Sequence, residues 1–266
     1  MTAPPGGCGR KLDAASLTQL LRASGFEHSG TTSFADSVML QRPQSPRLHS
    51  SVDLIFDMGL GGDVTGSVAV VHALSDLYTS FCLPLSATLC LGLSHRAKTD
   101  GSAAQLLGAA RATLLNHGVQ FGGGHTVYND TMFLSVSVVG ERLTKREPVF
   151  RPGREYDILI SKPIGTGIYL SANRSGLLSA EDLDGLRSHL MVTNEEASQE
   201  ALGVLENGRG HLAMLTDVTG FGLLQTLRVG LPADVVATVN AEFVPLLPRT
   251  VDLIENHGIT TSLGDA

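Results

Sequence analysis

Four aspartates of this chain stand beside small or turn-forming residues: Asp36 in SFADSV, Asp57 in IFDMG, Asp76 in HALSDLY and Asp217 in LTDVTGFG. Carboxylates gathered from distant points of a sequence make an oxygen-ligand site for Mg²⁺, which binds through a few carboxylates plus the phosphate oxygens of a substrate. Aspartates in such settings also cap helices and form Asx turns, and each of the four has that alternative use. Asp217 is the most telling. It lies in an apolar stretch and precedes Thr219-Gly220-Phe221-Gly222, where the backbone can approach a ligand closely.

Three further segments carry polar chemistry. Gly122-Gly123-Gly124-His125-Thr126 offers unobstructed N–H groups, an imidazole and a hydroxyl, which suits a phosphate or ribose, although the same run would serve as a flexible connection. Lys162-Pro163-Ile164-Gly165-Thr166-Gly167 reads either as a phosphate contact or as a plain strand exit. Cys8 is followed by Arg10 and Lys11, whose charges favour its thiolate as a nucleophile or as a holder of a soft atom. Its alternative is an incidental thiol in a frayed terminus. Cys82 and Cys90 sit in an apolar run and read as packing. The nucleotide signature GxxxxGK[ST] and the zinc signature HExxH are absent, and the nearest approach to GxGxxG, starting at Gly220, ends in Gln225.

The elements that would position these groups follow from periodicity. Leu17, Leu20 and Leu21 predict a helix over 14–23, ended by Gly25. Strands are predicted at 52–56, 85–93 and 132–139, the last from its Phe/Ser/Val alternation. Helices are predicted at 67–78, against the β-branched weight of Val68, Val70 and Val71, and at 103–117, closed by Gly118. Charge and proline concentrate in TKREPVFRPGRE, which marks a boundary at 144–155. A strand at 157–161 and helices near 181–191 and 194–207 follow. The order implies an α/β or α+β protein with mixed sheets covered on one face.

Composition sets the limits. With 266 residues, 42% apolar and 17% charged, the chain can bury a sizeable core, so disorder is excluded as its main state. Aromatics are 5% with no Trp, which argues against a base-stacking surface. A net charge of −7 makes nucleic acid a poor partner and requires a divalent cation if the ligand is anionic. Three cysteines without a CxxC predict a reducing, cytoplasmic setting. No run has the make-up of a signal-peptide core or the length of a bilayer span, so no membrane association is expected.

Taken in order, GCGRKL (7–12), ADSV (35–38), HALSDLY (72–78), GGHT (123–126), KPIGTGI (162–168) and TDVTGFGLL (216–224) resemble the selenophosphate synthetase (selenide, water dikinase) family of the aminoimidazole ribonucleotide synthetase-like superfamily. The resemblance runs from Gly7 to about Gly258. It implies a two-domain α+β fold whose N-terminal mixed sheet pairs with a second copy into a dimeric barrel, followed by a C-terminal α/β sandwich. The corresponding division is a mobile arm and first helix (1–25), an ATP-binding and dimerisation domain (26–148) and a C-terminal domain (149–266). By the resemblance, Cys8 handles selenium with Lys11 as its basic partner. Asp36, Asp76 and Asp217 hold Mg²⁺, Asp57 contacts ATP, and Gly124, His125 and Thr126 reach nucleotide, bound mainly by the other subunit of a homodimer.

The implied reaction converts ATP, hydrogen selenide and water to selenophosphate, AMP and phosphate. The chain departs from the family pattern at Ala35, at His72, in a shorter stretch between Asp57 and Gly66, and in lacking further C-terminal elements, so the sandwich is expected to be incomplete. A second expectation follows from those departures: a non-catalytic paralogue acting as a regulatory or interaction subunit.

Overall fold

The computed structural model describes residues 38–39, 47–208 and 210–259. Cys8, Lys11, Asp36 and the helix expected over 14–23 lie outside them. The first half of the described chain builds one mixed sheet from β1 (Val38–Met39), β2 (Leu48–Phe56), β3 (Cys82–Leu93), β4 (Gln120–Tyr128) and β5 (Phe133–Arg142), in the order β1-β2-β5-β3-β4. All neighbours are antiparallel except β3 and β4, which are parallel and joined through helices α2 (His95–Thr99) and α3 (Ser102–Asn116). A parallel pair needs such a crossover because its second strand must start at the same end as the first.

Alternation divides the sheet into two faces. On β5, Leu134, Val136 and Val138 are fully buried while Ser135 and Ser137 point the other way. On β2, Asp53 and Ile55 are buried while Val52 and Leu54 are exposed. Helix α1 (Gly62–Thr79) covers the buried face, and α3 packs on α1 through Leu106, Ala110 and Leu114, one turn apart on a single stripe. Helix α1 begins earlier than its valines suggest. Val64, Val68, Val70 and Val71 are all buried, and that burial outweighs the small propensity cost of branching at Cβ. Gly66 lets the two helices meet closely, because a Cβ there would come within 2.0 Å of the Leu106 carbonyl oxygen. Just beyond the end of α1 and its C-cap Ser80, the chain turns through Phe81, a buried non-glycine residue with φ of 55°.

The second half is helical: α4 (Thr166–Arg174), α5 (Ala180–Leu190), α6 (Glu195–Asn207), α7 (Gly222–Gly230) and α8 (Thr250–Glu255). Ile168, Tyr169, Ala172, Leu186 and Leu253 join the same apolar core as the sheet and α1. Arg249 fastens α8 to α5 through Asp182 at 2.6 Å, and Asp182 also completes the capping box of α5 with Ser179. Among the described residues no helix is long and apolar enough to cross a membrane.

Two expectations are corrected here. Residues 157–161 form no strand. Leu159 is 92% exposed, and a strand persists only where a neighbour receives its ladder hydrogen bonds. For the same reason the expected C-terminal α/β sandwich is not seen among the described residues. The one pairing there is an isolated parallel bridge between Ile164 and Leu246.

Candidate functional site

Residues 51, 53, 55 and 57 of the β2 segment share the face turned toward α1, and three of them are polar. Each meets a partner on the helix. The Ser51 hydroxyl donates to the Asp76 carboxylate, Asp53 lies 3.8 Å from His72 Nε2, and Thr65 Oγ1 donates to Asp57 Oδ1 at 3.5 Å. Strand and helix therefore run antiparallel, with these three contacts as successive rungs. Asp57 also accepts the Gly59 amide at 3.0 Å, which closes an Asx turn at the strand exit.

The rungs fix how far apart the carboxylates stand. Thr65 and Asp76 are eleven positions apart on one helix, about 16 Å along its axis. Asp57 and Asp76 are thus held at opposite ends of the β2–α1 layer, too far apart to share one cation. They could serve one elongated ligand. Asp53 and His72 were not singled out from sequence as a pair. The signal was present in the spacing of Ser51, Asp53 and Asp57, which puts carboxylates on the face of a strand that also buries Ile55.

Gly124 belongs to β4, so the glycine run is an edge strand and not a flexible connection. A Cβ at Gly124 would come within 2.1 Å of the Leu89 carbonyl oxygen, so only glycine fits against β3 at this point. Gly123, with φ of 106°, sits where the pairing slips between Ala87 and Leu89. His125 and Thr126 follow on the exposed edge, in register with Cys90 and Leu91. The other cysteine of β3, Cys82, is buried, and desolvation pushes its thiol up to about 12, so it is inert packing as expected.

Asp217 lies in the coil before α7. Its Oδ2 is buried and has no hydrogen-bond partner among the described residues. Lys162 is its electrostatic neighbour. Burial lowers the Lys162 pKa, the Asp217 charge opposes that shift, and the ammonium donates to the Val192 carbonyl at 2.8 Å. Two residues on, Asn194 Nδ2 donates to Ser75 Oγ, next to Asp76, at 2.6 Å. Segment 192–194 thus lies between the turn that bears Asp76 and the Lys162–Asp217 pair. Among the described residues no three His, Cys, Asp or Glu side chains are grouped closely enough to hold a metal ion. Asp36, the remaining aspartate of the expected set, is outside those residues.

Residues 36–142, the sheet-bearing part of the chain, match the family described as AIR synthase related protein, N-terminal domain. A selenide, water dikinase of Shewanella sp. (strain ANA-3) is 28% identical over 262 residues, covering 93% of this chain and 71% of that protein. One of Shewanella baltica (strain OS155 / ATCC BAA-1091) is 30% identical over 193 residues, 71% of this chain and 53% of that protein, so this match spans about half the length of the relative. Among solved structures, a HypE–HypF complex superposes with a TM-score of 0.72 at 18% identity, covering 94% of this chain and 81% of that one. The hydrogenase maturation protein HypE in complex with ATP gives 0.64 at 22% identity, covering 84% and 68%. Thiamine monophosphate kinase from Aquifex aeolicus gives 0.56 at 17%, covering 73% and 66%. Such identities show a shared α+β fold.

Proposed function

We propose that the chain is an ATP- and Mg²⁺-dependent selenophosphate synthetase, converting ATP, hydrogen selenide and water to selenophosphate, AMP and phosphate. The observation that carries this reading is similarity to a selenide, water dikinase over 93% of the chain, an extent that takes in both halves of the fold. In this account Cys8 receives the selenium with Lys11 as its charge partner. Asp57, Gly124, His125 and Thr126 contact the nucleotide, together with Lys11, and Asp36, Asp76 and Asp217 hold Mg²⁺. The buried, unpartnered Oδ2 of Asp217 fits a cation ligand, since a carboxylate oxygen withdrawn from water needs a compensating charge or donor. Bound there, Mg²⁺ would neutralise phosphate oxygens and thereby let a chain of net charge −7 accept a triphosphate.

The cellular setting in this reading is the cytoplasm and the assembly is a homodimer. Support for a second copy comes from the sheet face turned away from α1, where among the described residues Val52 and Leu83 are at least half exposed, and from the edge of β4, which no described strand pairs. A second reading, the non-catalytic paralogue, is favoured by the dispersal of the described carboxylates. Isothermal titration of ATP with and without Mg²⁺ separates the two. Synthetase chemistry requires binding that depends on Mg²⁺ and is lost in Asp217→Asn, whereas the paralogue shows no change between the two proteins.

A further inference from the structure

The last turn of α1 is closed from the far end of the sequence. A helix leaves its final carbonyls without intrahelical partners, and the turn frays unless other donors reach them. Three local donors do so here: Thr79 Oγ1 to the Asp76 carbonyl at 2.9 Å, the Ser80 amide to Leu77 at 3.2 Å and the Phe81 amide to Tyr78 at 3.0 Å. A fourth comes from α6. Ser198 Oγ donates to the same Tyr78 carbonyl at 2.6 Å, a buried bond across 120 positions.

The residues around Ser198 tighten this contact. Asn194, which precedes α6, bonds Ser75 at 2.6 Å. Glu195 Oε2 accepts the Tyr78 hydroxyl at 3.3 Å and lies 3.2 Å from His117 Nδ1, at the end of α3. The other end of α6 is also held, for Arg146 donates to the Leu205 and Glu206 carbonyls, both at 2.8 Å. Helix α6 is therefore a strut fixed at both ends. Ser75 and Tyr78 flank Asp76, and the chain leaves this turn through Phe81 in the left-handed region, a conformation that persists only where the surroundings over-determine it.

We infer that Asn194 and Ser198 are positioning residues for Asp76: the start of α6 caps α1 in trans, so that the affinity of the Asp76 site for a cation–nucleotide complex depends on the docking of the C-terminal helices. The inference rests on Asp76 being a cation ligand, as proposed above. It goes further by making the cap, and not Asp76 alone, the determinant of affinity. Loss of one buried hydrogen bond corresponds to roughly a five- to tenfold change in an equilibrium constant.

The test uses the full chain and MgATP, with wild type titrated first. Ser198→Ala, Asn194→Ala and the hydroxyl-retaining Ser198→Thr are then compared by calorimetric titration and by amide hydrogen exchange of residues 76–79. Expected are faster exchange at 76–79 and about a five- to tenfold weaker MgATP affinity in each alanine variant, with both restored in Ser198→Thr. Faster exchange at unchanged affinity reduces the cap to scaffolding and overturns the inference, as does unchanged exchange. A wild-type chain that binds no MgATP overturns the nucleotide reading itself, and that failure is distinguished because it appears before any variant is made.

Discussion

The Ser51 hydroxyl donates to the Asp76 carboxylate, fastening the last turn of α1 to the strand beneath it. Asp76 is thereby aimed from two sides, by a donor on β2 below and by the α6 cap beside it. Ser51→Ala removes the donor and leaves the strand intact. Its MgATP affinity should fall by about three- to tenfold, with the fold retained, as measured by calorimetric titration and near-ultraviolet circular dichroism.

The neighbouring rung makes a stability prediction. Asp53 is 8% exposed, and His72 faces it across 3.8 Å. His72→Ala leaves the Asp53 carboxylate short of a partner on its helix side and should cost about 1–3 kcal/mol in urea unfolding. His72→Asn keeps a side-chain donor at the position and should recover part of that loss.

Glycines of α1 and α3 should respond in opposite directions. Gly66→Ala drives a methyl into the Leu106 carbonyl and should destabilise by roughly 1–3 kcal/mol through overpacking. Gly108→Ala faces open space on α3, where alanine's higher helix propensity should add about 0.5–1 kcal/mol. Paired thermal melts of the two variants check the sign of each.

Acid should weaken the fold through two histidines. Burial first, then the Arg142 charge, lowers the His49 pKa from 6.5, and burial followed by the Lys162 charge does the same for His189. Near and below pH 6.5 the unfolded chain therefore binds protons that the folded chain resists, and stability falls as pH drops from 7 toward 5. His49→Gln and His189→Gln should each flatten the melting temperature–pH profile over that interval.

Much of the sheet was legible because its signal is local. The alternation of β5 and the Gly118 stop of α3 needed no tertiary information. What was not legible depended on neighbours. The start of α1 was obscured by valines that only burial on all sides makes acceptable, and 157–161 carries a strand-like run with no strand beside it. At the site, single aspartates were visible, but the pairing of Asp53 with His72 and the reach of Ser198 to Tyr78 arise from elements that meet only in three dimensions. The separation of Asp57 from Asp76 likewise follows from the antiparallel run of β2 and α1, which spacing along the chain does not encode.

The central claim is the reaction itself, and ³¹P NMR of the protein incubated with MgATP and hydrogen selenide tests it most directly. The account predicts selenophosphate, AMP and phosphate appearing in equal amounts, with Cys8→Ser and Asp217→Asn both silent although folded. Unchanged ATP, or ADP as the nucleotide product, would contradict it.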